Sequence, residues 1–224
     1  MATQLSACAP AEQWCHVRID ATLLISKFTF LTSIPMSEDC ELIISFYLGA
    51  GTDHMGRSLQ DILDQDNKWM ENTHDYIQWL FPLYVSSQFN LRAPILTDEV
   101  REAFVDPAHP LHTKLQANFE RAIDRLLQFH GFVSKSPFEP TKVVEYIGRR
   151  LINLDGYPLD FHACLREGNH NQLRITRMLR SMTLMGRNEL AVSFRDELVL
   201  VGKGHLAPKT IKFWDEAIIP VKNC

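Results

Sequence analysis

The chain has 224 residues, 46% of them hydrophobic and 22% charged, with a formal net charge of −4. That length suits one domain, or one domain with an appendage, and the balanced composition excludes a disordered tail, a collagen-like fibre and a coiled-coil rod. The slight acidic excess offers nucleic acid and anionic membranes no global attraction, so binding to either would need a local basic face, and nucleic acid is not an expected partner.

Residues 1–35 stand apart from the rest. They show little helical periodicity and carry Cys8 and Cys15, two of five cysteines. Leu5-Ser6-Ala7-Cys8 has the form of a bacterial lipoprotein cleavage site, but only four residues precede it, with no basic start and no apolar stretch. Either Met36 is the true start and the upstream residues are an extension, or they form an arm packed through Trp14, Phe28 and Phe30. The cysteine number is odd and no CxxC pair occurs, which fits a reducing, cytoplasmic setting with Cys40 and Cys164 as small core residues. No apolar run reaches the roughly 18 residues of a membrane span, so the chain reads as soluble.

From residue 36 onward the patterns are helical. Ser58 with Asp61 forms a capping box, followed by Leu59, Ile62, Leu63, Trp69 and Met70 at helical spacing. Thr73 is placed to cap a helix bearing Tyr76, Ile77 and Leu80, which Pro82 ends or kinks. Thr97-Asp98-Glu99 opens a short helix with Val100 and Phe104. Pro110 precedes the stripe Leu115, Phe119, Ala122, Ile123, Leu126 and Leu127, and Gly131 supplies a left-handed stop. Further helices are expected at about 140–151, 170–186, 188–201 and 207–217, opened by Pro140, Asn169 or Asn171, Asn188 and Pro208. Glu197 to Val201 is the best strand signal, and serves equally as a helix end. The expected fold is an all-α, compact single-domain bundle of roughly eight to ten helices over residues 36–224.

Two segments carry chemistry. The first runs from Trp69 to Pro82, with Tyr84, Phe89 and Phe104 beyond it. It reads as core rings with polar groups serving loop backbone, or as an aromatic-lined pocket with a few oriented polar groups. The His74-Asp75 doublet has the form used by metal phosphohydrolases of the HD type, but no second ligand motif accompanies it. The second segment is Asn169 to Met182. Ile175, Met178, Leu179, Met182 and Met185 share one face, and Arg174, Arg177 and Arg180 the other, with Arg166 and Arg187 near its ends. That arginine face is either solvated or an anion site, helped by Asn169, Asn171 and Gln172 and by the helix start. No phosphate loop, dinucleotide fingerprint, nucleophile elbow or zinc helix occurs, so no cofactor and no catalytic residue is nominated.

Phe46-Tyr47-Leu48-Gly49, Gly56 with Leu59-Gln60-Asp61-Ile62-Leu63, the nine-residue run from His74 to Pro82, Ser87-Gln88-Phe89-Asn90 with Ala93-Pro94, and Asn169-His170-Asn171 through Arg180-Ser181 together resemble the conserved region of the opioid growth factor receptor family. The resemblance implies a soluble helical domain unrelated to seven-helix receptors. In animals the family implies binding of the pentapeptide Met-enkephalin, restraint of cell growth, and association with the nucleus and its membranes. It brings no catalytic residues. Animal members carry long C-terminal regions, whereas this chain resembles the short, domain-only members of bacteria and fungi. The expected function is non-catalytic binding of a peptide or small acidic ligand through Tyr76, Gln78, Trp79, Asn90, Asn169 and Asn171, with Arg174 or Arg177 meeting the acidic group. The alternatives are a module whose arginine helix docks a protein or nucleic acid, and a metal-dependent phosphohydrolase using His74 and Asp75.

Overall fold

A computed structural model of the chain describes residues 36–134, the backbone of 144–146, and residues 163–220. The expectations for residues 1–35, including Cys8, Cys15 and the arm, lie outside the described residues, as does Cys224. Nine α-helices occur among the described residues: α1 (Glu38–Leu48), α2 (Leu59–Leu63), α3 (Asn67–Asn72), α4 (Ile77–Leu80), α5 (Asp98–Val105), α6 (His112–Phe129), α7 (Asn171–Leu184), α8 (Asn188–Val201) and α9 (Pro208–Ala217). The domain is all-α, with a two-stranded ribbon as its single extended piece among the described residues.

The local signals explain most boundaries. Ser37, Ser58 and Thr97 each accept a backbone N–H of the following turn, and the Ser58–Asp61 capping box is complete in both directions. Gly49, at φ 76°, closes α1 in the left-handed region, and Gly131, at φ 88°, turns the chain just past α6; both conformations are disfavoured for residues with a Cβ. The α6 stripe is fully buried, as are Ile175, Leu179, Met182 and Met185 of the α7 stripe. Glu197–Val201 is helical, the final turns of α8.

Three expectations are corrected. The stretch Leu59 to Met70 is two helices, because Asp64 ends α2 and Asp66 caps a new helix by accepting from the Trp69 N–H. Thr73 does not open a helix but closes α3, its own N–H donating to the Trp69 carbonyl. The helix expected at 140–151 is also corrected where it is described. Val144–Tyr146 is a strand, antiparallel to Phe132–Ser134 with Phe132 opposite Tyr146, and alternating β-branched and aromatic residues favour that state. Phe132 meets Phe194 of α8 edge-on at 5.3 Å.

One continuous core joins two groups of helices. α1, α5 and α6 pack together, centred on Tyr47, Phe104 and Phe119, whose rings meet at 5.1–6.1 Å. α7, α8 and α9 pack on one another. Cys40 and Cys164 are buried in this core, as expected.

No described helix carries a basic residue in its last turn. Terminal carbonyls therefore lack a local cation to offset the helix dipole. Side chains from distant elements take that role. Asn118 donates to the Tyr47 carbonyl at the end of α1 (2.6 Å), and Gln116 donates to the carbonyls of Phe104 and Met185 at the ends of α5 and α7.

Candidate functional site

The two segments singled out in the sequence fold against each other. α7 lies across the ends of α3 and α4, and its three arginines each reach a different helix terminus. Arg174 Nη1 donates to the Met70 carbonyl (2.7 Å), and its Nη2 to those of Thr73 (2.9 Å) and Glu71 (3.3 Å), all at the end of α3. Arg177 Nη1 donates to the Phe81 carbonyl that follows α4 (3.0 Å). Arg180 Nη1 donates to Ile219 (2.7 Å) and Ala217 (3.5 Å) at the end of α9. The arginine face is therefore not the solvated outer face weighed from the periodicity. It is a row of charge-assisted caps.

Between these elements lies a recess of about 640 Å³, within the usual size for small-ligand sites. Ile77 and Gln78 of α4, the 83–89 loop, the α7 face from Leu173 to Arg180, and Phe213 to Ala217 of α9 line it. Phe89, Leu173 and Phe213 stand on its rim, 75%, 58% and 40% exposed, so an apolar surface is open to solvent there. Three guanidiniums face the recess against one carboxylate, that of Glu216, which has Lys212 3.8 Å away. Burial pulls the Arg177 guanidinium down to about 10, still charged at neutral pH. In a chain of net charge −4, this is a local cationic pocket with apolar walls.

The predicted residues divide into those that reach the recess and those that support it. Gln78, Arg174 and Arg177 line it, and so does His74. The Gln78 amide is buried, its nitrogen toward the carbonyls of Asp75 (3.2 Å) and His74 (3.3 Å) and its oxygen toward Ser87. Tyr76 is fully buried behind the site: its hydroxyl donates to the Met70 carbonyl (3.2 Å), and its ring lies under the Arg174 guanidinium. Trp79 is core, against Phe46 and stacked on His54. Asn90 ties the 83–92 loop down, donating to the Asp75 carbonyl (2.7 Å). Asn169 accepts from the Asn171 N–H (2.8 Å) at the start of α7, and Asn171 donates to Glu71 (2.9 Å). These last five residues hold the walls of the recess in place.

His74 and Asp75 diverge. Asp75 pairs with Arg57 (2.9 Å), which also binds the buried Asp53, and its other oxygen is 3.6 Å from His54. The His74 ring instead faces His170 at 5.3 Å. Among the described residues no three His, Cys, Asp or Glu side chains gather as metal ligands. Sequence reasoning missed Phe89, Leu173 and Phe213 as a shared rim. The signal was present for Leu173, an apolar residue on the arginine side of α7, and absent for Phe213, which only the docking of α9 brings near. Thr210 and Trp214 of α9 secure that docking on Gln172 of α7 (2.8 and 3.3 Å).

Fold and site together define an all-α domain with an apolar, arginine-floored recess between α4 with its following loop and the faces of α7 and α9. Residues 44–201 match the family described as the opioid growth factor receptor (OGFr) conserved region, and the chain belongs to that family. It is similar to the opioid growth factor receptor of Rattus norvegicus, 33% identical over 135 residues, covering 58% of this chain and 20% of that protein. It is also similar to opioid growth factor receptor-like protein 1 of Rattus norvegicus (31% over 141 residues) and of Mus musculus (31% over 139), each covering 59% of this chain and 25% of the relative. The chain thus spans a fifth to a quarter of the length of these relatives. No solved structure matches it.

Proposed function

We propose that the domain is a non-catalytic binding module whose recess takes a short peptide or a small acidic ligand. The observation that carries this reading is the convergence of Gln78, Arg177 and Arg180 with the exposed Phe89, Leu173 and Phe213 around one recess of about 640 Å³. An open apolar rim with a few fixed polar donors is the usual form of a small-ligand site. The printed name of one rat relative, opioid growth factor receptor, supports the same direction. The buried thiols Cys40 and Cys164 suit a reducing, cytoplasmic setting, and no described helix is long and apolar enough to cross a membrane.

The alternative of a docking helix for acidic partners is weaker, because Arg174 spends both terminal nitrogens on backbone carbonyls. The metal phosphohydrolase alternative has less support still, since Asp75 is committed to Arg57. Calorimetry of the whole chain with Met-enkephalin and with small aromatic carboxylates tests the proposal. Saturable heat lost in the Phe213→Ala variant supports it. Absence of binding by every ligand at high micromolar concentration overturns it.

A further inference from the structure

Resting on the binding reading above, we infer that the recess recognises the carboxy-terminal end of a peptide whose last residue is apolar. The free carboxylate sits on Arg177 and Arg180, and the last side chain lies against the apolar wall. The three arginines are not equivalent. Arg174 has both terminal nitrogens committed to carbonyls. Arg177 and Arg180 donate through Nη1 only, so the Nη2 group of each has no protein acceptor among the described residues. Neither Nη2 is buried out of reach of solvent. The caps at Phe81 and Ile219 fix both guanidiniums in place before any ligand arrives, which lowers the ordering cost of using their remaining donors.

Arg177 and Arg180 are three residues apart on one helix, so they are neighbours on its surface, roughly 5–6 Å apart at Cβ. A carboxylate accepts through two oxygens with about four lone-pair sites, and a guanidinium fork matches that geometry. An anion bridging the two suits this pair better than a single point contact.

Apolar groups share the same small recess. Leu173 on α7 and Phe213 and Ala217 on α9 line it together with the two arginines. A chain terminus presents its carboxylate and its last side chain on one carbon, so both enter at one point. An internal aspartate or glutamate instead has a backbone leaving in two directions and holds its carboxylate on a separate branch from any neighbouring apolar side chain. Glu216 on the same lining disfavours a dianion such as phosphate, as like charges at short range repel.

The test uses the full chain and N-acetylated tripeptides ending in Leu, Met or Phe, each as the free acid and as the carboxamide. At least one free acid should bind with an affinity about tenfold or more above its amide, the usual weight of a charge-assisted bidentate contact. In Arg180→Gln that preference should collapse, the free acid losing about tenfold more affinity than its amide, because the charge it meets is gone while the neutral carbonyl loses only one donor. Acid and amide binding equally would overturn the inference and leave the binding reading standing. So would small aromatic carboxylates binding while no tripeptide acid does, or Met-enkephalin, itself a free acid ending in Met, binding no better than its carboxamide. Failure of every ligand, Met-enkephalin included, would remove the binding reading and the inference with it.

Discussion

Arg174 and Met70, 104 positions apart in the chain, are joined by a 2.7 Å hydrogen bond from a guanidinium to a helix-terminal carbonyl. The same guanidinium takes the Thr73 and Glu71 carbonyls and lies over the Tyr76 ring. Two distant segments whose residues the sequence reading gives to one ligand site are thereby one unit, and the recess is the space left beside their junction.

Removing that guanidinium should be costly. Arg174→Met leaves the Glu71 and Thr73 carbonyls at the end of α3 without this donor, and that of Met70 with the Tyr76 hydroxyl alone, at about 3 kcal/mol or more. Arg180→Met, from a side chain closer to solvent whose carbonyl partners can turn to water, should cost no more than about 1 kcal/mol. Urea denaturation of the two variants checks the contrast. Equal costs would mean that Arg174 is not the junction.

Tyr47 tests the other side of α4. Its ring is fully buried and its hydroxyl donates to the Leu80 carbonyl, while Arg177 takes the next carbonyl, that of Phe81. This four-residue helix is thus held from two directions at its C-terminal end. Tyr47→Phe deletes only the donor and should destabilise the fold by about 1–2 kcal/mol, the cost of an unsatisfied buried carbonyl. Hydrogen exchange should quicken first in residues 77–81.

Those two contacts also show what the sequence could convey. Caps and stripes are local: Ser58 with Asp61, Thr97, the α6 stripe and the Met-rich face of α7 all sit where spacing places them. The arginine face misleads because periodicity reports only which residues share a side, not what covers it. Arg174, Arg177 and Arg180 find carbonyls of three different helices, a long-range fact with no local signature. Tyr76 and Trp79 look like pocket rings in a polar context but turn inward, since burying large apolar area outweighs the cost of their single polar atoms. Gln78 was legible as a polar group on a short apolar helix, whereas Phe213 depended on where α9 docks.

The buried His130 and the half-buried Asp124 should tilt stability with pH in opposite senses. Burial, then Arg174, His170 and Arg125, push the His130 imidazole down to about 3 from its ordinary 6.5. Its neutral form belongs to the folded state, so stability is fully present above about 6.5 and is lost as pH falls toward 3. Burial, and then Glu120, raise the Asp124 carboxyl from 3.8 to about 6. The folded state there holds the proton, so stability is greatest below 3.8 and falls as pH rises through 6. Between about pH 4 and 6 the two slopes oppose each other, each up to about 1.4 kcal/mol per pH unit. Relative to the parent chain, His130→Phe should make stability fall more with rising pH in that window, and Asp124→Asn should make it rise more. Urea midpoints across pH 4–7 give both signs.

Leu173 separates the rim of the recess from its supports. It is 58% exposed and occupies the third position of α7, within the first turn of that helix. Replacing it with Asp exposes no cavity, and a carboxylate in a first turn is favoured by the helix dipole, which offsets the poorer helix propensity of Asp. Stability should therefore change by no more than about 0.5 kcal/mol. The recess, however, gains a second carboxylate besides Glu216 and loses part of its apolar rim. Binding of any anionic ligand should weaken by about tenfold or more, with the loss shrinking at high salt as screening removes the repulsion. Leu173→Asn, which removes the apolar contact without adding charge, should weaken binding less and show no such salt dependence. Calorimetry of both variants at low and high ionic strength reads the two contributions apart. Equal losses at every salt concentration would mean that the rim acts through apolar contact alone and that the arginine floor does not meet an anion.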